Sequence, residues 1–433
     1  MTTAPPHTPR RPAVWWSTNA PGIALAAVLL NLAGTLGLAV VLGGELRYLD
    51  ERDYAALAAA LAGGDGYSVA GSGPTAYRPP GYPFLLAPFH LVSGGSVFAM
   101  RLVGVLAMAG SVWLAFLLVR RAHSASAGAL AAVLLAGYPL LAYTATALYP
   151  QVPAFFLLLL FLELTLRATS PQSRHLGVCT TGAGLAAGLL ILTVPMFGPS
   201  VLLTVAAVVC WKRRDPGWGT VLRTGAVLLA VATVLPAAWC ARNAAMVHAF
   251  VPVSTNNGVN LLLGNNPAAT TTSGAGGDIA SYTERAAQLE LTEVELDRFY
   301  RDEALDWITA HPADAAVLYA DKVLHTFSFR DELATAGQAD PLQDLVSALT
   351  FYPVLALAGL RVLLLRRWPL TPTEKLVAWL VVCNALLLAV FFTRLRLRTP
   401  VDGLLILLAA TAVANLVQDR WAGAGKPGRM QAR

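Results

Sequence analysis

Long uncharged or nearly uncharged apolar stretches alternate with short polar ones along almost the whole chain. The first runs over 22–44 with no charged residue. Nine more follow at about 98–119, 127–147, 151–167, 177–194, 198–211, 220–241, 346–365, 373–393 and 401–417. An α-helix needs about 20 apolar residues to cross the hydrocarbon of a bilayer. The pattern therefore predicts an all-α polytopic membrane protein with about 10 transmembrane helices over 21–420. Tight turns at Tyr149-Pro150 and between Pro195 and Pro199 imply that the helices around them are short or tilted. The first run is too long for a signal-peptide core, so it reads as an uncleaved first span.

The polar connections are unequal. Two are long, about 45–97 and 243–345; the rest are short. The short ones that ten crossings place on the side of both termini carry Arg120-Arg121, Arg167 with Arg174, Lys212-Arg213-Arg214, and Arg361 with Arg366-Arg367. Basic residues favour the cytoplasmic side. The tails, 1–20 and 421–433, are therefore expected in the cytoplasm and both long loops outside the inner (plasma) membrane. The first outer loop holds Glu45, Asp50, Glu51, Asp53 and Asp65; the second holds 15 of the 25 acidic residues. Within the second, an acidic helix is expected near 283–310. An amphipathic one follows from Pro312, with Tyr319, Val323 and Phe327 on one face, suited to lie along the membrane surface.

Composition agrees. Of 433 residues 56% are hydrophobic and 13% charged, against roughly 25% charged in an ordinary soluble domain. The net charge of +6 lies mostly in the short loops, so topology accounts for it and no nucleic-acid partner is expected. Cys179, Cys210, Cys240 and Cys383 are scattered in or beside apolar runs and read as packing residues. The seven histidines are dispersed, and no metal-ligand spacing, P-loop or dinucleotide fingerprint occurs. No cofactor is implied, and dependence on a divalent metal is left open.

Four polar segments could carry chemistry. Leu49-Asp50-Glu51-Arg52-Asp53-Tyr54 places three carboxylates just beyond the first span, with Asp50 and Asp53 on one side of a helix start. They suit N-capping, with Asp50 as the cap, and equally a carboxylate that takes a proton from a hydroxyl. Tyr77-Arg78-Pro79-Pro80-Gly81-Tyr82-Pro83 is stiffened by its prolines. It is either a loop anchor or a mount that aims Arg78 at an anion. The asparagines Asn256, Asn257, Asn260, Asn265 and Asn266 fit a run of Asx-turns or a pocket wall that hydrogen-bonds sugar hydroxyls. Last, Thr393-Arg394-Leu395-Arg396-Leu397-Arg398-Thr399-Pro400 puts three arginines on the side where charge bias predicts few. An extended backbone there would project all three one way. They suit lipid headgroups or a dedicated phosphate site.

In order and placement these segments resemble the GT-C membrane glycosyltransferases. The carriers are Asp50-Glu51 with Tyr54, Gly64-x-Gly66-Tyr67, the Tyr77 to Pro83 run, Gly258-x-Asn260 to Pro267, and Arg396-x-Arg398-x-Pro400. The branch most resembled is the bacterial protein-mannosyltransferase and aminoarabinose-transferase superfamily (glycosyltransferase family 39-like). The resemblance implies a GT-C-like bundle and a sugar, mannose by default, carried on a polyprenyl phosphate. It implies inverting transfer to a hydroxyl acceptor (protein, glycan, lipid or natural product) on the extracytoplasmic face. It places the general base at Asp50, with Glu51, Asp53 and Tyr54 supporting. Arg78, Arg396 and Arg398 would bind the donor phosphate; Asn257, Asn260, Asn265 and Asn266 would contact sugar or acceptor. The rival reading is a transporter or flippase for a lipid-linked sugar or small anion. Transporters place ionisable groups within their spans, and Glu163 is the main such residue here.

Overall fold

The structure, a computed structural model, describes residues 12–424 except 70, 72, 171, 172, 274–276 and 332–340. Of the two expected tails, residues 1–11 and 425–433 lie outside the described residues.

The elements follow the apolar pattern. Helix α1 (Pro12–Leu42) leads to α2 (Leu49–Gly63), a small antiparallel pair β1 (Ser68–Val69) and β2 (Gly73–Pro74), and α3 (Gly81–Ser93). Then come α4 (Val97–Ala122), α5 (Ala125–Ala136), α6 (Pro139–Thr146), α7 (Gln151–Ala168), α8 (Leu176–Thr193), α9 (Phe197–Trp211) and α10 (Trp218–Met246). The second long loop folds as α11 (Asn257–Gly264), α12 (Ala280–Gln288), α13 (Glu293–Ala310) and α14 (Pro312–His325). The chain closes with α15 (Pro341–Leu363), α16 (Pro372–Ala389) and α17 (Leu395–Ala424).

Among the described residues, eight helices are long and apolar enough to span a membrane. The run expected over 127–147 is not one straight crossing. It is the pair α5 and α6, bent by 59°. Pro139 at the start of α6 lacks the N–H that would continue α5, and Gly137 ends α5 without a side chain to pack. The bend turns α6 and the following Ala147-Leu148-Tyr149 segment toward the start of α2. The run at 198–211 becomes α9, whose 15 residues are short for a complete span. All ten runs are helical; one is broken and one is short.

Helix association inside lipid depends on close packing, because lipid tails are as apolar as leucine. Small residues supply it. A Cβ at Gly188 of α8 would lie 2.8 Å from the Ala232 carbonyl of α10, and one at Gly184 would meet Leu228 and Val231. At Gly403 of α17 a Cβ would collide with the Phe155 ring of α7. Phe116, Phe155, Phe161 and Leu408 sit in a large apolar core to which α4, α5, α7, α8 and α17 contribute, with further residues from α1, α9, α10, α15 and α16.

Several charges near the spans are paired. Glu163, the group that favoured transport, accepts from Arg121 at 2.8 Å and Arg167 at 2.7 Å at the basic end of α7. Arg361 and Glu374 form a buried bidentate pair joining α15 to α16. These pairs staple helix ends, and none lies at the middle of a span.

The long loops are folded against each other. The acidic helix expected over 283–310 is two helices. They break where Glu290 takes a left-handed φ of 48°, and Thr292 with Glu295 then forms a capping box for α13. Glu293 joins the two loops: its carboxylate accepts from Thr75 Oγ1, the Ala76 N–H and Thr255 Oγ1. Arg242, at the end of α10, donates to the carbonyls of Thr75 and Tyr67 at 2.7 Å each. The amphipathic helix α14 docks on α16 through Tyr319, while Val317 and Leu324 stay exposed.

Candidate active site

The chemistry gathers at the start of α2. The cap of that helix is Tyr48, not Asp50 as expected. Glu51 does the capping: its carboxylate accepts from the backbone N–H of Arg47 at 2.7 Å and of Tyr48 at 3.1 Å. A glutamate at the third helical position has the reach to bend back to the cap, which an aspartate one residue earlier lacks. Glu51 also accepts from the Leu148 N–H at 2.9 Å and pairs with Arg101 at 3.3 Å. Arg101, 1% exposed, donates further to the carbonyls of Gly43, Glu45 and Thr146. Glu51 and Arg101 thus lock α1, α2, α4 and α6 together and leave Asp50 free for another task.

Asp50 uses both carboxylate oxygens. Oδ1 accepts from Arg78 at 2.6 Å; Oδ2 pairs with Arg396 at 2.6 Å. Asp53, one helical turn on, accepts from the same Arg78 at 2.7 and 3.1 Å. Arg78 also lies beside two aromatic rings, Tyr54 at 5.5 Å and Tyr77 at 5.1 Å. Arg396 lies over the face of Tyr149 at 4.6 Å. The Tyr149 ring is 5.5 Å from that of Tyr48, whose hydroxyl is 2.8 Å from that of Tyr143 on α6. Two carboxylates, two guanidiniums and five tyrosines therefore meet where α2, α6, α17 and the segment before α3 converge. Unlike the buried Glu51 pair, the Asp50, Asp53, Arg78 and Arg396 side chains all retain partial solvent access.

Arg78 reaches this point by a constrained route. Helix α2 ends at Gly64, whose φ of 87° suits a residue without a Cβ. Tyr67 then donates its hydroxyl to the Arg78 carbonyl at 2.8 Å. Beyond the Pro79-Pro80 pair, Gly81 packs on the end of α8 so closely that a Cβ would lie 2.7 Å from the Thr193 backbone.

Arg396 arrives differently, and the expected extended stretch is absent. Leu395 begins α17, and its N–H is accepted by the carboxylate of Asp331 at 3.0 Å. Proline is tolerated in a first turn. Pro400 cannot donate to the Arg396 carbonyl, and the Thr399 hydroxyl does so instead at 2.8 Å. In a helix, residues two apart diverge by about 200° around the axis. The three arginines therefore part. Arg394 turns to the Ser273 carbonyl. Arg398 is 2% exposed and pairs with Asp402 at 2.8 Å, stacks on Phe351 at 3.8 Å, and donates to Ser328 and Thr326 carbonyls. Arg398 is a structural bolt inside the bundle, apart from Asp50.

Asn260, Asn265 and Asn266 are also spoken for. Asn260 donates to Asn256 O, Asn265 to the carbonyls of Leu261 and Val390, and Asn266 to Leu262 O while accepting from the Ala268 N–H. Asn265 and Asn266 are buried; Asn257 is exposed. Asn266 forms an Asx-turn with Ala268, and the contacts of Asn260, Asn265 and Asn266 to carbonyls four residues back are helical back-bonds. Asn265 also accepts from Lys322, a fully buried lysine that donates to the Gly264 carbonyl at 2.7 Å. Among the described residues no carboxylate pairs with it, and burial pushes the Lys322 ammonium down to about 8.

Burial disfavours charge on Asp50, yet the Arg396 and Arg78 guanidiniums beside it outweigh that and hold its carboxyl below the usual range. It is ionised at neutral pH. Burial pushes the Tyr54 hydroxyl up to about 12, so it stays neutral. Among the described residues, no three His, Cys, Asp or Glu side chains converge as a metal site.

Sequence reasoning missed Arg101, Tyr48, Tyr143 and Tyr149 as parts of this region. Arg101 left a signal, being the one charged residue in the run 98–119. A cation inside an apolar run needs a reason. The tyrosines left none, because only the bend between α5 and α6 brings Tyr143 and Tyr149 to α2.

Residues 77–240 match the family described as dolichyl-phosphate-mannose-protein mannosyltransferase. Among solved structures, the fold is similar to ArnT from Cupriavidus metallidurans bound to undecaprenyl phosphate: 15% identity, TM-score 0.54, over 95% of this chain and 62% of that one. It is similar too to the Archaeoglobus fulgidus oligosaccharyltransferase tethered to an acceptor peptide containing the NVT sequon: 12% identity, TM-score 0.57, over 97% of this chain and 52% of that one. The chain spans less than two thirds of the length of either protein. No curated protein sequence matches it. At these identities the likeness establishes the fold alone, that of an all-α polytopic membrane protein.

Proposed function

We propose that this GT-C-fold chain is a membrane glycosyltransferase that moves a sugar, mannose by default, from a polyprenyl-phosphate carrier to a hydroxyl acceptor, with inversion. Asp50 is the general base; Arg78 and Arg396 hold the donor phosphate. The observation that carries this reading is the position of Asp50 between two arginines from distant parts of the chain, at 2.6 Å from each. Guanidiniums bind phosphate oxygens as readily as carboxylate oxygens. A phosphate arriving here would draw both cations off Asp50 and leave a carboxylate beside the reacting centre. The relative bound to undecaprenyl phosphate supports the donor class, and the one tethered to an acceptor peptide supports transfer to a second molecule.

The step balances simply. The acceptor oxygen forms a bond to the anomeric carbon as its proton passes to Asp50. The bond from that carbon to the phosphate oxygen breaks, and its electron pair leaves with the lipid phosphate. Positive charge grows on the sugar ring and negative charge on the leaving phosphate, where Arg78 and Arg396 stabilise it. Asp53 and Tyr54 flank Arg78 and shape its approach. Arg398, Asn260, Asn265 and Asn266 have no place in this step. The positive-inside bias of the short loops supports cytoplasmic termini and a site on the extracytoplasmic face.

The test is label transfer from radiolabelled polyprenyl-phosphate mannose in membranes holding wild type or Asp50→Asn at equal levels. Release of lipid phosphate by wild type alone supports the reading. Equal release by both removes Asp50 as base. Inactivity of both, repeated with other sugars on the same lipid, removes the donor assignment.

A further inference from the structure

With a guanidinium on each oxygen Asp50 is a weak base, so the resting arrangement must loosen before it takes a proton. What keeps the two cations in place when it does? Each has a second anchor that owes nothing to Asp50. Arg78 is held by Asp53 through two hydrogen bonds, 2.7 and 3.1 Å. Arg396 lies on the Tyr149 ring at 4.6 Å, and that ring is 95% buried and backed by Tyr48 at 5.5 Å. The two anchors differ in kind. Asp53 is an anion that would oppose a nearby phosphate; Tyr149 is neutral and would not.

We infer that Asp53 and Tyr149 are positioning residues, a double tether that keeps Arg78 and Arg396 aimed at the donor phosphate after Asp50 is released to the acceptor. This rests on the reading of the site as a lipid-phosphate glycosyltransferase. The broken crossing then has a purpose: without the bend between α5 and α6, Tyr149 would not reach Arg396. Arg101 secures that turn through Thr146 O, and Glu51 through the Leu148 N–H. Carboxylate and ring also predict different failures. Losing the ring leaves Arg396 without a seat and weakens phosphate binding. Losing the Asp53 charge leaves Arg78 with Asp50 as its remaining carboxylate, which grips the base harder while phosphate still binds.

The experiment measures binding of undecaprenyl phosphate to purified full-length wild type, Tyr149→Leu, Tyr149→Phe and Asp53→Asn, and transfer kinetics for each, with thermal unfolding as the folding control. For Tyr149→Leu the expected result is a dissociation constant raised about tenfold, with Tyr149→Phe, which keeps the ring, within about threefold. For Asp53→Asn it is a kcat lowered at least tenfold with KM not raised, and an acid limb of the kcat profile displaced to lower pH. A merely structural role would lower stability and leave that limb in place. Unchanged binding in Tyr149→Leu, or unchanged kcat in Asp53→Asn, overturns the corresponding tether while the donor reading stands. Failure of wild type to bind undecaprenyl phosphate overturns the donor reading and the tether with it.

Discussion

Asp50 and Glu51 are adjacent in the chain, both carboxylates, both paired with arginine, and they do opposite things. Glu51 is 1% exposed, and every lone pair it offers is taken by the Arg101 guanidinium or by backbone N–H groups of its own cap and of Leu148. Asp50 is partly exposed and held by two guanidiniums that each have somewhere else to go. The same contrast recurs at the start of α17, where Arg396 faces the site and Arg398 is sealed against Asp402 and Phe351. A charge whose partners are all fixed and dry contributes to architecture. A charge whose partners can be exchanged for a ligand is available for chemistry. Neighbouring residues differ in this way because helix geometry sends consecutive side chains to different faces.

The sharpest way to break the first contrast is at Asp50. Asp50→Asn should lower turnover by about 10²–10⁴-fold, the usual worth of a general base, while undecaprenyl phosphate still binds. Steady-state transfer and direct binding on the same preparation would separate the two. Glu51→Gln should act the other way. Leaving Arg101 buried without its counter-charge should cost about 3–5 kcal/mol of stability, read as a lower unfolding midpoint in detergent. Turnover per folded molecule should hold nearer the wild-type value than in Asp50→Asn.

The second contrast predicts a split between two arginines. Arg396→Gln should weaken undecaprenyl phosphate binding by about tenfold to a hundredfold, the range for a charge-assisted hydrogen bond. Arg398→Gln should leave binding by the folded fraction near wild type and lower the unfolding midpoint, because Asp402 loses its partner in the core. Binding curves corrected for folded fraction would decide it. If Arg398→Gln weakened binding as much as Arg396→Gln, the two would not be distinct.

The smallest effects are in pH dependence. The folded pKa of Asp50 is depressed, so its ion pairs stabilise the protein above the ordinary carboxylate range. That contribution fades as pH falls through the lowered value, and solvent access keeps it modest. Asp50→Asn should flatten this part of the acid unfolding profile. Lys322 provides a counterexample in the alkaline range. Its folded pKa, about 8, lies below the roughly 10.4 of a free lysine, so the unfolded chain binds the extra proton between those values. Its contribution should therefore make wild type gain stability, relative to Lys322→Met, as pH rises from about 8 to 10.

Much of the fold was legible because a bilayer punishes unpaired backbone groups so heavily that apolar run length nearly dictates helix position. All ten runs became helices. The bend at Gly137-Tyr138-Pro139 was written in its residues but was read through, because its flanks are as apolar as the rest of the run. Within the site, Asp50, Asp53, Tyr54, Arg78 and Arg396 all stood out in sequence, and the structure brings them together. Arg398, Asn260, Asn265 and Asn266 stood out by the same residue-type logic, and their side chains are occupied elsewhere. Residue type marks what a side chain can bind; it does not say whether something in the protein already binds it.

Sequence alone determined the class of molecule, the placement of its helices and the short set of charges exempt from the charge bias of the loops. Those follow from local quantities: hydropathy over a window, helix-breaking residues and the sign of nearby charge. Tertiary structure alone decided that α17 starts early enough to turn Arg396 and Arg398 apart. It also decided that a bent crossing carries Tyr149 under Arg396, and that Glu51 takes the cap so that Asp50 need not. These depend on contacts across 25 to more than 300 residues of chain, from Asp53 with Arg78 to Asp50 with Arg396, whose geometry no local window contains.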